Sequence, residues 1–545
     1  MKILKPEKIT YETLHLTDRD RVLEMVKKGV TRREALGWMT AAGLSAATAT
    51  SIFGSATTAW ANTPKRGGKL IMAVDVHGPD DQLDPANYKA TVDYFRGRMF
   101  YGSLTRLKDD LSYEPELAEE VLSNADATEW TFKIRRGVEF HDGKTLTADD
   151  VIYSMNRHIG PDTVSTGATL VNMVTEWKKV NDYEVKAILS SPNSDLPIAL
   201  GTFQFKIIPD GYTDFSSTTI GTGPYKVKEF APGIRAVGVR NENYWDDGAY
   251  LDEIEHFAIA DPVARLNAFL NGDIDAMSNV PPKAIDAVAN ATGKGLWTLE
   301  SGAYVNIAGR VDIAPSNNGH LIKALQHLQD RERMVRGVLK GQARLGNDQP
   351  IGPAYFDHCP DIPQRELDLD KAKWHFEKSG IGNSEVPITA AEVGPGVVEM
   401  ATMTQREAAK IGMNVSVEKV TPDGYWSAIW KVVPFCVVRW NPRPTANIML
   451  SLAYHSQAKW NESYWKNEQF DQILKDVLAV TDPAKRKQMY CDAQTLIHET
   501  GGSIMPAHLN YIDGAADYVK GRTHVPLNSF GGAESPPFLW RDDSA

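Results

Sequence analysis

The sequence contains little cysteine, which excludes two classes of small protein. Only three of its 545 residues are Cys, too few for a miniature fold held by several disulfides or for a zinc site with four Cys ligands. They stand at Cys359, Cys436 and Cys491. In an oxidising compartment three Cys permit one internal disulfide and leave one thiol over. The sequence leaves all three pairings open, and three buried free thiols as well.

Positive charge is also scarce. Lys and Arg total 59 against 70 Asp and Glu, which gives a formal net charge of −11 at pH 7. An acidic chain without a long basic run is a poor partner for nucleic acid or an anionic membrane, so we expect no nucleic-acid partner. Apolar residues make up 42% and charged residues 24% of the chain. These fractions are typical of globular proteins and exclude a fibrous, disordered or polytopic membrane protein.

Catalytic signatures are missing. The sequence has no Gly-x-Ser-x-Gly elbow, no His-Glu-x-x-His, no Cys-x-x-Cys and no phosphate loop, the motifs that would indicate common hydrolase, metalloprotease, redox and nucleotide chemistry. Residues 221–224 (GTGP) lack the third glycine of a dinucleotide fingerprint. The pair His141-Asp142 is interpreted as a turn rather than as metal ligands, because no further ligand stands nearby in sequence. The sequence therefore predicts no enzyme, no cofactor and no metal site.

The N-terminus resembles an export signal. Residues 31–34 (TRRE) precede a charge-free, mildly apolar run over residues 35–61. The run ends in AWA at residues 59–61, with small residues at the two positions that signal peptidase requires. The pattern predicts export by the twin-arginine machinery, cleavage after Ala61 and a soluble periplasmic protein. The alternative is a transmembrane anchor, which the eight Ser and Thr of the run disfavour.

Apolar periodicity after the signal predicts alternating strands and helices, and so an α/β fold. The predicted elements are strands over residues 69–74 and 130–135, a helix opening at the capping box Thr147–Asp150, a helix from Asp261-Pro262 to Gly272, a helix over residues 320–340, a helix over residues 402–411 followed by a strand over 413–420, and a helix from Asp482-Pro483 to Gly501-Gly502.

A set of spaced sequence blocks resembles a known family. The blocks are residues 130–144 (WTFKIRRGVEFHDGK), 146–151 (LTADDV), 221–225 (GTGPY), 241–245 (NENYW), Asp261-Pro262 with Arg265, and 272–275 (GDID). In this order they resemble the family 5 extracellular solute-binding proteins, the peptide-, opine- and nickel-binding type. The resemblance extends from Gly68 to near Trp540. We interpret the blocks as scaffold, because their turn and capping residues have structural roles of their own.

The resemblance implies an α/β, two-lobed periplasmic-binding-protein (Venus flytrap) fold of the large peptide-binding type with two interlobe crossings. Lobe I would span residues 62–302 with a strand-rich subdomain, lobe II residues 303–508, and residues 509–545 would return to lobe I. The implied function is periplasmic capture of a peptide-like or amino-acid-derived solute by a monomer, which delivers it to an ABC permease in the inner membrane. The alternatives are a secreted hydrolase and a periplasmic chaperone-like binder of unfolded peptides.

The segment 438–445 (VRWNPRPT) carries the ligand hypothesis. In many peptide-binding relatives an aromatic residue here is followed three positions later by Asp, which pairs with the peptide's α-ammonium. In this sequence Trp440 is followed by Arg443, and a guanidinium suits a carboxylate, phosphate or sulfate. We therefore expect a solute with an anionic group. The alternatives are a structural or solvent-facing Arg443 and a Trp440 that packs in the core.

Six further residues are ligand candidates, each with a structural alternative. Aromatic residues cluster after position 424 and are suited to lining a cleft, although each of them also suits an ordinary packed loop. A histidine follows the opening strand, where such folds place a cleft loop, and it suits a structural hydrogen bond equally well. The candidates are Asn441, Tyr425, Trp426, Tyr454, Trp460 and His77.

Overall fold

The computed structural model describes residues 21–22, 24–25, 30–41, 44–45, 48–53, 63–75 and 81–543. The chain divides into two compact units, Met1–Lys65 and Arg66–Ala545. In the first unit helix α1 (Arg32–Ala41) begins at the arginine pair, and Glu34 accepts a 3.0 Å hydrogen bond from the Thr31 amide. The predicted cleavage site at Ala61 lies outside the described residues. Within those residues no helix combines the length and the hydrophobicity needed to cross a membrane.

The second unit alternates strands and helices, as the periodicity predicts. Its strands are β1 (Lys69–Val74), β2 (Thr105–Leu107), β3 (Tyr113–Pro115), β4 (Ala118–Ser123), β5 (Glu129–Ile134), β6 (Val174–Asn181), β7 (Glu184–Leu189), β8 (Tyr225–Ala231), β9 (Arg235–Arg240), β10 (Glu253–Ala258), β11 (Ala276–Met277), β12 (Lys294–Gly309), β13 (Ala343–Leu345), β14 (Val386–Ala390), β15 (Val415–Lys419), β16 (Phe435–Trp440), β17 (Ser503–Ala516), β18 (Val519–Lys520) and β19 (Trp540–Arg541). Its helices are α2 (Thr91–Phe100), α3 (Ala148–Asn156), α4 (Leu196–Leu200), α5 (Pro262–Asn271), α6 (Ile285–Ala289), α7 (Gly319–His327), α8 (Arg331–Arg333), α9 (Leu369–Ser379), α10 (Val397–Lys410), α11 (Tyr425–Ala428), α12 (Ala446–Ala453), α13 (Glu468–Asp476), α14 (Pro483–Thr500) and α15 (Ser529–Gly532).

One large mixed sheet runs through both lobes. Its strand order is β15-β14-β16-β12-β17-β11-β1-β10-β9-β8, with β13 also paired to β17. Strands β1, β10 and β11 run parallel, whereas β12 and β17 run antiparallel to each other and carry the longest ladder. One continuous sheet therefore connects the two lobes, and each lobe has its own apolar core.

Strands β12 and β17 are the two connections between the lobes. The first part of β12 pairs with β17 beside β11, and the second part also pairs with β16. The register breaks between Glu300 and Ala303, where the sequence predicts the end of lobe I. Gly302 lies within this break, and a Cβ there would approach the Tyr355 ring to 2.3 Å. The lobe limits at residues 302 and 508 stay predictions.

A separate four-stranded antiparallel sheet forms within the first lobe. Its order is β4-β5-β7-β6, and β5 buries alternate residues, Trp130, Phe132 and Ile134. The same core contains Val151 of α3. Thr147 begins that helix, and its amide donates to Asp150 Oδ2 at 2.9 Å, as the capping box predicts.

Helix α5 confirms the predicted start and stop signals. Asp261 is its N-cap and accepts a hydrogen bond from the Ala264 amide at 2.6 Å, and Pro262 occupies the first helical position. Gly272 ends the helix with φ +86°, a conformation that glycine adopts without steric cost.

The predicted helix over residues 320–340 is wrong, because it is broken in the middle. Helix α7 ends at His327, and the Asp330 side chain caps α8 by accepting from the Arg333 amide at 3.0 Å. A π-helical turn, Met334–Val338, follows. The apolar stripe continues across the break, so periodicity alone does not reveal the cap.

One of the three possible cysteine pairings forms. Cys359 and Cys491 are disulfide-bonded, with Cα atoms 5.0 Å apart, and the bond ties the loop after β13 to helix α14. Cys436 is a buried thiol on β16. Burial raises the pKa of Cys436 to about 12, so it is protonated at neutral pH.

Candidate ligand-binding site

A cavity of about 790 Å³ lies between the two lobes. Lobe I contributes Thr91 and Tyr94 of α2 and Gln204 of the loop after α4. The other wall consists of Arg439, near the end of β16, and residues 441–444, which follow that strand. A volume of this size is typical of pockets that enclose a small molecule.

The wall from lobe II is held by its neighbours. Strand β16 ends at Trp440, and Thr445 begins α12 by accepting from the Ile448 amide at 3.1 Å. The four residues between them include two prolines, whose fixed φ limits the conformations of the turn. The Arg443 amide donates to Tyr355 Oη at 3.0 Å. The turn is therefore anchored at both ends and in its middle.

Arg443 lines this cavity. Its Nη1 donates to the carbonyls of Asn441 and Pro442, both at 3.0 Å. Its guanidinium carbon lies 5.9 Å from the ring centroids of both Trp440 and Trp460, within reach of a cation–π interaction. The carbonyls occupy only one of the three guanidinium nitrogens, so the planar fork keeps donors for an anion.

The charge lining the cavity is of one sign. Lys89, Arg439 and Arg443 contribute cations, and none of the described residues that line it is Asp or Glu. The whole chain carries a net charge of −11, so the sign of the charge in the cavity is opposite to that of the chain as a whole. Such a lining favours an anionic ligand.

Trp440 belongs to an aromatic cluster that is partly buried. It is 5% exposed and stacks on Tyr304, with ring centroids 6.2 Å apart. Edge-to-face contacts connect it through Trp460 and Trp430 to Trp426. Trp460 and Trp426 are 45% and 48% exposed, which leaves them surface for a ligand or another partner.

The buried side chain of Glu462 forms hydrogen bonds that hold this aromatic cluster in place. Glu462 accepts from Trp430 Nε1 at 2.7 Å and from Asn306 Nδ2 at 3.0 Å. Burial raises the pKa of Glu462 despite these donors. The carboxyl therefore holds the indoles in place without facing the cavity.

Two of the predicted aromatic residues lie in the core. Tyr425 Oη donates to the carbonyls of Val437 and Thr389 at 2.9 and 3.2 Å, and Tyr454 Oη contacts Ser503 Oγ. Each is 1% exposed, and neither lines the cavity between the lobes. Their burial is in keeping with the structural alternative, and their ligand role stays a prediction. His77 lies outside the described residues.

Several cavity residues were missed by sequence reasoning. They share no motif and come from segments far apart in the chain: Lys89, Thr91, Tyr94, Gln204, Asn279, Arg439, Tyr511 and Asn528. Tyr94 stacks on Phe203 with centroids 3.9 Å apart, which forms a flat wall. Arg439, next to Trp440, is the one with a sequence signal, a charge within an otherwise apolar strand.

A second set of interlobe contacts involves paired charges. Arg486 of α14 forms an ion pair with Asp195, the N-cap residue of α4. Beside it the Ser194 amide donates to Leu478 O at 2.8 Å. Asp357 lies near both charges, and burial, with Asp195 adding repulsion, raises its pKa to about 7. We refer to Ser194, Asp195, Asp357, Leu478 and Arg486 as the interlobe contact.

Residues 112–462 match the family described as bacterial extracellular solute-binding proteins, family 5. The chain is 24% identical over 464 residues to heme-binding protein A of Haemophilus influenzae, covering 77% of this chain and 83% of that protein. It is 22% identical over 453 residues to the dipeptide-binding protein of Escherichia coli, covering 76% and 84%. The solved structure of HbpA2 from Haemophilus parasuis superposes with a TM-score of 0.77 at 21% identity, covering 87% of this chain and all of that one.

Proposed function

This chain belongs to the bacterial extracellular solute-binding proteins of family 5, the solute-binding components of ABC importers, and we propose that its solute is a small peptide-like or amino-acid-derived compound with an anionic group. Members of this family bind and deliver solutes and are not enzymes, so the absence of catalytic motifs in the sequence is in keeping with the family. A hydrolase and a chaperone-like binder are not favoured.

The observation that carries the proposal is the sign of the charge in the cavity between the lobes. Arg443 lies three residues after Trp440, lines the cavity and has no carboxylate beside it among the described lining residues. Arg443 is half-buried, and a cation that loses part of its hydration without gaining a counter-ion is destabilised. An anionic group on the solute offsets that cost and adds a bidentate hydrogen bond.

Capture would combine this ion pair with contacts to both lobes. Tyr94 and Gln204 lie on one side of the cavity and Asn441 and Arg443 on the other. A solute that touches both sides stabilises the closed arrangement, because the contacts exist together only when the lobes are near. Strands β12 and β17 are the connections about which the lobes would move. The closed form would then be the one delivered to the permease.

We also propose export through the twin-arginine machinery, cleavage after Ala61, and a periplasmic monomer. The arginine pair at the start of α1 and the charge-free run after it support the route. The Cys359–Cys491 disulfide supports an oxidising compartment. N-terminal sequencing of the exported protein should begin at Asn62; a full-length protein in the membrane fraction would contradict cleavage.

Mass spectrometry of the small molecules released from the purified protein tests the choice of solute. The protein is purified natively, denatured, and the released compounds are identified by fragmentation and by methyl esterification of acidic groups. We expect a compound of low mass with at least one acidic group. A cationic or uncharged solute, bound in stoichiometric amount, would contradict the proposal.

A further inference from the structure

Arg439 is a second cavity arginine, and it has fewer partners than Arg443. It stands on β16 opposite Val305 of β12. Its Nε is buried, and that atom finds no hydrogen-bond acceptor among the described residues. A guanidinium has five N–H donors and normally satisfies them when it is buried. The Nε–H group of Arg439 is therefore available to donate a hydrogen bond to a ligand.

The position of Arg439 explains where that acceptor would come from. It lines the 790 Å³ cavity and also a smaller one of about 220 Å³. Asn279 and Tyr511 line both cavities as well, so these three residues stand at the junction. A ligand group near the junction would be within reach of both chambers.

The smaller chamber differs in character from the larger one. Its lining includes three prolines and several aliphatic side chains, and none of the described lining residues is Asp or Glu. The larger chamber is lined mostly by Thr, Asn, Gln and the three cations. A ligand that extends from one into the other would place an apolar portion past Arg439 and its polar portion beside Arg443.

Buried arginines elsewhere in this protein have a carboxylate or carbonyl partner in their own chain, although Arg98 and Arg331 also leave a buried Nε without a hydrogen-bond acceptor among the described residues. Arg98 pairs with Glu116 and Glu534, and Arg265 donates to backbone carbonyls including Ser278 O at 3.1 Å. Arg439 and Arg443 differ from these because no carboxylate lines their cavity among the described residues. One monovalent anion would leave one of the two cations without a counter-charge.

We propose that the solute carries two acidic groups, one bound by Arg443 and one by Arg439, and a short apolar portion that enters the smaller chamber. This inference rests on the proposed function, since it adds a second charge to the same solute. The Cα atoms of Arg439 and Arg443 lie at most about 14 Å apart, because only four residues of chain separate them, so both arginines can act on one small solute.

The test exposes ligand-free protein to the soluble small molecules of a bacterial extract and recovers the bound compounds by mass spectrometry. Four proteins are compared: wild type, Arg439→Met, Arg443→Ala and the control Arg336→Gln, whose arginine is exposed on the same lobe. Methionine keeps an unbranched stem of similar length without the charge. Methyl esterification and fragmentation count the acidic groups of each recovered compound.

We expect wild type and Arg336→Gln to enrich a compound with two acidic groups, and each cavity variant to lower its recovery at least about tenfold. A compound with one acidic group that Arg439→Met recovers as well as wild type, while Arg443→Ala loses it, overturns this inference and leaves the proposed function standing. A cationic or uncharged compound, or no enriched compound at all, overturns both.

A second measurement separates a ligand role from a structural one. If Arg439 is an unpaired cation, its replacement by Met should leave the melting temperature of the ligand-free protein unchanged or raise it. A fall in that melting temperature comparable to the loss seen on removing a paired arginine would mean that Arg439 stabilises the fold, and would overturn the inference.

Discussion

The cavity and the interlobe contact both place arginines between the same two lobes, and they differ in what those arginines meet. At the interlobe contact, Arg486 finds the Asp195 carboxylate of the other lobe. In the cavity, Arg443 contacts two carbonyls and two aromatic rings, Arg439 Nε has no acceptor, and none of the described lining residues is a carboxylate. The first arrangement is complete without a ligand, and the second is not. The difference separates a structural arginine from one available to a solute.

The largest effect is expected where the pairing is most complete. Asp348 is fully buried and accepts from Arg331 Nη2 and the Met505 amide, both at 2.7 Å, and from Arg365. Although burial acts to raise it, the pKa of Asp348 is held below its ordinary value by Arg331 and Arg365. Asp348→Asn should lower the free energy of unfolding by about 3–5 kcal/mol, because it leaves two buried cations without a counter-charge.

Urea denaturation measures the effect of Asp348→Asn, with Glu332→Gln as the control because Glu332 pairs with Arg336 at an exposed site. The control should change stability by less than about 1 kcal/mol. Equal effects of the two substitutions would contradict the view that buried pairing stabilises this lobe.

Substitutions in the cavity should change the affinity for the solute and leave the stability of the free protein nearly unchanged. Arg443→Ala should weaken binding of the solute identified by mass spectrometry by roughly 2–5 kcal/mol, and by at least about tenfold in Kd, while the melting temperature of the free protein stays close to wild type. Arg443→Lys should recover part of the affinity, because an ammonium lacks the planar fork. Isothermal calorimetry with Arg336→Gln as control makes the comparison; binding within about twofold of wild type would assign Arg443 a structural role.

The interlobe contact should give a smaller loss than Asp348, because it can hydrate when the lobes part. Arg486→Met leaves Asp195 without its ion pair, and we expect about 1–3 kcal/mol of lost stability together with a larger solute-free radius of gyration. Small-angle X-ray scattering measures the second effect. Lys485→Met, at an exposed position of the same helix, is the control, and an unchanged radius in Arg486→Met would mean that this pair does not hold the lobes together.

The smallest effect concerns pH at the same contact. Asp357 has a pKa raised to about 7 by burial and by Asp195, against about 4 in an unfolded chain. The folded protein therefore holds a proton that the unfolded chain releases. The contribution of this group to stability should fall as pH rises from about 4 to about 7 and then level off.

Asp357→Asn removes this contribution. The stability lost between pH 5 and pH 8 should shrink by roughly 1–3 kcal/mol relative to wild type, and Asp361→Asn, at an exposed position of the same loop, should leave it unchanged. Urea denaturation at the two pH values provides the measurement. Asp513, whose pKa burial also raises to about 7, keeps part of the pH dependence in both variants. The same pH dependence in Asp357→Asn and wild type would contradict the shift.

Local signals predicted the elements well where each signal acts within a few residues. Asp261 and Gly272 bound α5 as expected, and Lys69–Val74 forms the opening strand. The break after His327 was missed, because the apolar stripe crosses the cap at Asp330. The disulfide could not be chosen, because its two cysteines are 132 residues apart and only the tertiary fold brings them together.

The sequence identified one segment that lines the cavity and missed the others, because they are far apart in the chain and come together only in the folded protein. Asn441 and Arg443 line the cavity, and their ligand role, like those of Trp440, Trp426, Trp460 and His77, stays a prediction. The remaining walls come from segments such as Thr91 and Tyr511, which no local pattern connects. Tyr425 and Tyr454 are of a residue type that often lines a cleft, but their hydroxyl groups have hydrogen-bond partners in the core. The sequence does not show this difference; only the tertiary structure does.

The crystal structure of the protein with its native solute tests the central claim most directly. We predict a solute enclosed between the lobes, with an acidic group within about 3 Å of the Arg443 guanidinium nitrogens and no water between them. A solute that places an ammonium or an apolar group against Arg443, or that binds outside the cavity between β16 and α2, would contradict the account.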